Sequence, residues 1–207
     1  MTIDFKDCDI NKDYFHFTNK ANINSILNNG LIPSVGTASK LVADRANVSV
    51  SKGGKGIIGI INSFIFKFAG LKASEIPEEY KKYFSEISDL ESDSLIGKEN
   101  ACKAMTRKLK DEVYFRVDLS EKELEQAKIG GLTGYDINLP IKIDKSKIDI
   151  ITDSNNKVLS AYDVAKNIYE RAKNIDIIRN RHLDFFDMFE MMEKDEAQKH
   201  NSDDFER

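Results

Sequence analysis

The chain has 207 residues, 41% of them hydrophobic and 32% charged, with a formal net charge of −4. That length suits one domain with a sizeable core, or one domain carrying a helical appendage, and the apolar fraction is too high for general disorder. No apolar run approaches the roughly 18 residues of a spanning helix; the longest, Ile57 to Leu71, is broken by Gly59, Asn62, Ser63 and Lys67.

The first residues carry neither a basic start nor an apolar h-region, so no signal peptide is visible. With Cys8 and Cys102 as the only cysteines, the expectation is free thiols in a cytoplasmic setting, not a disulfide framework. Heavy use of Ile, Lys and Asn suits an AT-rich bacterial genome. From Glu193 to Arg207 the net charge is −3, which leaves the rest of the chain close to neutral. A nucleic-acid-binding domain is usually strongly basic, and this one is not. One local basic set, Lys166, Arg171, Lys173, Arg179, Arg181 and His182, reads as a solvated helix face.

In chain order, Tyr14-Phe15-His16-Phe17-Thr18 is a short aromatic run and predicts a strand. A helix follows, with Asn19 or Asn22 to cap it, Ile23, Ile26 and Leu27 as its apolar stripe, and Gly30 at the C-terminal cap. A polar loop then runs to about Asn47. Val48-Ser49-Val50-Ser51 alternates as a second strand, Lys52-Gly53-Gly54-Lys55-Gly56 reads as a turn, and Ile57 to Phe68 as a largely buried helix. Residues 73–111 hold three short helical patterns with few large apolar residues, which reads as a helical insertion or lid. Val113 to Leu119 returns to strand alternation. Ser120 and Glu123 form a capping box for a short helix ending at Gly130-Gly131. Asp136 to Ile143 and Ile148 to Thr152 predict two more strands, with Pro140 implying an edge or bulge.

Ser160 and Asp163 open a long helix whose apolar face is Ala161, Val164, Ala165, Ile168, Tyr169, Ala172 and Ile175. Leu183, Phe185, Phe186, Met188, Phe189, Met191 and Met192 then make a second helical stretch dense enough to need a partner surface. That surface is the domain's own core or a second copy of the chain in a homodimer. Residues 195–207 read as frayed. The pattern predicts an α+β domain over residues 1–155, with an antiparallel or mixed sheet and the insertion at 73–111, followed by a C-terminal helical arm over 156–207.

Chemistry-bearing residues are few. No zinc spacing, P-loop or nucleophile elbow is present. The Lys52–Gly56 glycines place backbone amides and two lysines where a helix begins, which suits an anion as well as a plain turn. His16 sits mid-strand among aromatics, with Thr18 on the same face, and a lone strand histidine reads first as a hydrogen-bonded core residue and second as a ligand contact.

The order Phe15-His16-Phe17-Thr18, a short helix, Asn29-Gly30-Leu31-Ile32-Pro33 and a Ser-x-Ser strand resembles the N-terminal half of the ADP-ribosyltransferase superfamily. It is similar to branches whose first motif is His-x-Thr or His-x-Ser followed by a Gly-Leu-x-Pro turn. The resemblance covers about residues 13 to 70. It implies a split antiparallel or mixed sheet and NAD as cofactor. It also implies that His16 bonds an NAD ribose hydroxyl, that the main chain at Phe17 clamps the nicotinamide amide, and that Thr18, Ser49, Ser51, Lys52 and Tyr135 support the pocket.

The third motif departs from the family. Transferases carry a glutamate there whose charge stabilises an oxocarbenium-like state, whereas this chain reads Gly134-Tyr135-Asp136-Ile137-Asn138-Leu139-Pro140. Asp136 and Asn138 are thus the expected catalytic positions, one a shorter carboxylate and the other uncharged. The resemblance therefore implies NAD-dependent ADP-ribosyl transfer to a macromolecular target, or binding of NAD or ADP-ribose by a degenerate member. Two other readings stand beside it: a non-enzymatic interaction module assembling through the Phe/Met-rich helix, and an RNA 2′-phosphotransferase-like enzyme.

Overall fold

The computed structural model describes residues 1–34, 46–84, 93–130, 135–173 and 183–203. Among them lie strands β1 (Thr2–Asp4), β2 (Tyr14–Asn19), β3 (Val48–Lys52), β4 (Glu112–Val117), β5 (Lys128–Gly130), β6 (Asp136–Leu139) and β7 (Ile148–Thr152). The α-helices are α1 (Ile23–Asn29), α2 (Gly53–Phe68), α3 (Glu78–Phe84), α4 (Lys98–Asp111), α5 (Glu121–Glu125), α6 (Ala161–Lys173) and α7 (Leu183–Asp203). The described strands form one sheet in the order β1-β7-β4-β2-β3-β6-β5. Only the β1–β7 pair is parallel, so the architecture is mixed α/β.

Two compact units divide the chain: residues 1–60 with 109–165, and residues 61–108 with 166–207. The first holds the whole sheet. Its core gathers Val48, Val50, Val113, Phe115, Val117, Leu139, Ile148 and Ile150 from the strands with Ile26 of α1, Leu31 and Ile143. Each such side chain removed from water contributes about 1.5–3 kcal/mol before entropy is counted. Alternation along the strands puts this core on one sheet face and Phe15, Phe17, Ser49, Ser51, Tyr114, Arg116, Asp136 and Asn138 on the other.

Local chemistry explains the joints. Asn19 Oδ1 accepts the amide of Ala21 and turns the chain out of β2. At Gly30 φ is +79°, and a Cβ there would lie 2.2 Å from the Ile143 carbonyl, so only glycine lets Leu31 bridge to Ile143. Ser160 and Asp163 make the reciprocal bonds of a capping box at the start of α6.

The sheet loosens at its centre. β2 pairs with β4 along all six of its residues but with β3 only at Tyr14–Lys52 and Phe15–Ser51. β3 meanwhile pairs with β6 over four residues. Beyond Phe15 and Ser51, therefore, β2 and β3 part company.

Several boundaries differ from expectation. The Lys52–Gly56 segment is not a separate turn: Lys52 ends β3 and α2 begins at Gly53, where φ of +63° makes the bend. The helix after Ser120 stops at Glu125, and the chain enters β5 instead of continuing to Gly130. β6 ends at Leu139, ahead of Pro140, which has no amide to donate and lies outside the ladder. The helix that starts at Leu183 runs to Asp203, well into the segment expected to fray. The polar loop at 35–45, the 131–134 part of the Gly-rich segment, Ile175, Arg179, Arg181 and His182 lie outside the described residues.

The second unit is built on aromatic clusters. Phe64, Phe68, Tyr80 and Phe84 form one, with ring centroids 4.5–6.4 Å apart. Tyr169 with Phe185, Phe186 and Phe189 forms another. The phenylalanines of α7 and Met188 are buried in the single chain, so of the two partner surfaces expected for them the chain itself supplies one. Cys8 and Cys102 are buried free thiols, and burial pushes Cys102 up to about 11. Among the described residues no helix is long and apolar enough to cross a membrane.

Candidate functional site

The opening between β2 and β3 is bridged by a side chain. His16 Nδ1 lies 2.8 Å from the carbonyl oxygen of Ser49, at the level where the two strands have ceased to pair. A carbonyl only accepts, so Nδ1 carries the proton and donates. In the neutral ring Nε2 is then a bare lone pair, an acceptor. Burial holds the imidazole below its ordinary pKa against the raising effect of the Ser49 bond, which favours this neutral form.

Ser49 extends the connection to a third strand. Its hydroxyl donates to Asn138 Oδ1 at 2.7 Å, and Ser49 and Asn138 are directly paired in the β3–β6 ladder. One register step along, the Ser51 hydroxyl donates to Asp136 Oδ1 at 2.8 Å. Burial raises the Asp136 pKa, with the Ser51 bond opposing it. Ser51 is buried and Ser49 exposed, so β3 carries the pair of contacts from the interior to the surface.

These two serine contacts sit in transverse rows of the sheet. Asp149, Arg116, Phe15, Ser51 and Asp136 are successive partners across β7, β4, β2, β3 and β6. At one end Arg116 Nη2 binds Asp149 Oδ2 at 2.6 Å, so that guanidinium is held by a neighbouring strand. The backbone of Lys52 donates to the Tyr135 carbonyl at 3.0 Å, on the β6 side of β3. By the alternation of an antiparallel ladder, Ser49 and Ser51 turn their amides and carbonyls toward β2, and Phe17 turns its own toward β3.

The residues singled out in the sequence separate into two sets. His16 bonds the Ser49 carbonyl and the Ser49 hydroxyl bonds Asn138, with Ser51 and Asp136 beside them, but the His16 ring lies on the core face of the sheet and the serine, Asn138 and Asp136 side chains on the other. Phe17 stacks on Tyr114 with centroids 4.9 Å apart. Thr18 instead serves the helix start, its Oγ1 accepting from Asn22 Nδ2 at 3.0 Å. Lys52 places its ammonium 5.9 Å over the Tyr14 ring, and no hydrogen bond joins it to the serines. Tyr135 stands just before β6 with its ring part-exposed.

The glycine amides do not form an anion cradle. Gly53 donates to the Asp13 carbonyl at 2.8 Å and Gly54 to the Ile10 carbonyl at 2.6 Å, so both amides are already occupied. The glycines have a packing role: a Cβ at Gly56 would lie 2.7 Å from Ser51 Cβ.

Tyr114 was not singled out in the sequence. Its ring is fully buried between Phe15 and Phe17, and its hydroxyl has no hydrogen-bond partner among the described residues. Burial, then the carboxylates of Glu112 and Asp136, push its phenol well up. The alternation Glu112, Tyr114, Arg116 marks a polar face on an otherwise apolar strand and is the signal that points to it. Among the described residues no group of three His, Cys, Asp or Glu side chains is placed to hold a metal ion.

No protein-family model, curated protein or solved structure matches the chain. What fold and site define is a mixed α/β domain whose sheet opens beside a His-Ser-Asn chain.

Proposed function

We propose that the parting of β2 and β3 is a nucleotide site of the ADP-ribosyltransferase type, and that its ligand is NAD or ADP-ribose held by a degenerate member of that superfamily. The observation that carries this reading is the His16–Ser49–Asn138 chain, which links three strands where β2 and β3 stop pairing. His16 offers an acceptor for a ribose hydroxyl, and the Phe17 main chain faces the same opening. Such a ligand fits the chemistry of the donor set: neutral, hydrogen-bonding and half-open to solvent.

A second reading, active ADP-ribosyl transfer to a macromolecule, is favoured by one feature. Asp136 is a carboxylate on the face shared with Ser49 and Asn138. Transfer would break the bond between nicotinamide and ribose, release nicotinamide with the bonding pair, and join the ribose to an acceptor that loses a proton. A carboxylate near that ribose would stabilise the positive charge developing on it. Binding is preferred over transfer because Asp136 is shorter than glutamate, half-enclosed, bonded to Ser51 and on the sheet face opposite the His16 ring. The test is a thermal-shift titration with NAD and ADP-ribose alongside an assay for released nicotinamide. Binding without release supports the first reading, release the second, and no shift with either nucleotide removes both.

A further inference from the structure

The strand register sorts the side chains around the opening by face. His16 pairs with Phe115 and Tyr14 with Val117, so both rings lie on the core face, and Lys52, the partner of Tyr14, lies there too. Asn138 and Asp136, the partners of Ser49 and Ser51, lie on the opposite face. A ligand bonded to His16 Nε2 is thus flanked by residues of the core face. Of the side chains that β2, β3, β4 and β6 place on that face, Lys52 bears the only charge. Its ammonium stands 5.9 Å over the Tyr14 ring, is exposed, and among the described residues is paired with no carboxylate.

Resting on the nucleotide reading above, we propose that Lys52 binds the diphosphate of the nucleotide, whose ribose sits at His16 and whose chain runs along β2 past Tyr14. Tyr14 and His16 are two residues apart on one strand, about 6.6 Å at 3.3 Å per residue, a step that a ribose and its 5′-phosphate group span. The π face of Tyr14 attracts the ammonium and keeps it beside β2. A phosphate oxygen accepts from its N–H groups as a charge-assisted bond, with no carboxylate to displace. The Asp136 carboxylate, which would repel the phosphates, is on the other side of the sheet.

Calorimetric titration of the full chain with ADP-ribose at low and at high salt tests this. Lys52→Gln is expected to weaken binding about tenfold and to flatten its dependence on salt, as the loss of one charge-assisted hydrogen bond to phosphate requires. Lys52→Arg keeps the charge and is expected to retain most of the affinity. Lys128→Gln removes the same charge from the opposite face, where Lys128 pairs with Asn138, and is expected to bind as wild type does. If Lys52→Gln binds ADP-ribose as tightly as wild type, or Lys128→Gln weakens binding equally, the proposal is overturned and the nucleotide reading stays in place. Failure of the wild-type chain to bind ADP-ribose overturns the nucleotide reading and this proposal together.

Discussion

His16 and Ser49 are 33 positions apart in sequence, yet the ring of one donates to the carbonyl of the other at 2.8 Å. The contact stands where β2 and β3 stop pairing, so a side chain supplies a bond of the kind that the ladder gives elsewhere. It also sets the tautomer of the histidine. Structure and chemistry are thus coupled in one residue, and two substitutions separate them.

His16→Asn keeps a donor near the Nδ1 position but has no group equivalent to Nε2. It is expected to hold the wild-type stability and to lose nucleotide binding. His16→Ala removes both and is expected to cost about 1–2 kcal/mol as well, the value of a hydrogen bond whose acceptor is left part-buried. Urea denaturation with calorimetry of the same two proteins checks the pair. Equal destabilisation by both variants would show that the Ser49 bond is not what His16 contributes to the fold.

Burial moves the two titratable groups of the site in opposite directions. The His16 pKa is lowered from 6.5, so the unfolded chain takes up a proton there that the native state resists. Stability is therefore expected to decline as pH falls below about 6.5 toward the native value. Protonation also converts Nε2 from acceptor to donor, so nucleotide affinity falls over the same acidic range.

The Asp136 pKa is raised from 3.8, so its contribution favours the fold at low pH and is lost as pH rises through the native value. Asp136→Asn still accepts from Ser51 and cannot ionise. It is expected to melt higher than wild type at pH 7 and no higher below about pH 3. A lower melting temperature at pH 7 would contradict the burial of that carboxylate.

Gly56 lies where α2 passes Ser51. A Cβ there would come within 2.7 Å of Ser51 Cβ and 3.2 Å of the Ser51 carbonyl carbon. Gly56→Ala is expected to destabilise the protein by about 1–3 kcal/mol through overpacking and to disturb the Ser51–Asp136 bond. Removing one glycine from an exposed helix turn would instead stabilise slightly, so the sign of the change in chemical denaturation decides.

Much of the site was legible because it rests on local patterns. Aromatic alternation marked β2, Val-Ser-Val-Ser marked β3, and Asn19, Gly30 and the Ser160–Asp163 pair announced their caps. Three-residue strands carry too little alternation to be read: β1 forms only by parallel pairing with β7, 148 residues away, and β5 only by pairing with β6. The helical start at Gly53 was hidden because its glycines answer to distant carbonyls, those of Ile10 and Asp13. Nor does any local pattern reveal that the β2–β3 ladder ends after two pairs. That parting is a property of register and gives His16 its place.

The most direct measurement is a 1H–15N spectrum of the labelled chain titrated with ADP-ribose. The account predicts that the amides of Phe17, Ser49 and Asn138, and the His16 ring nitrogens, shift together on one saturable curve, with Nδ1 remaining protonated throughout. No shift, or shifts confined to residues away from the β2–β3 opening, would contradict it.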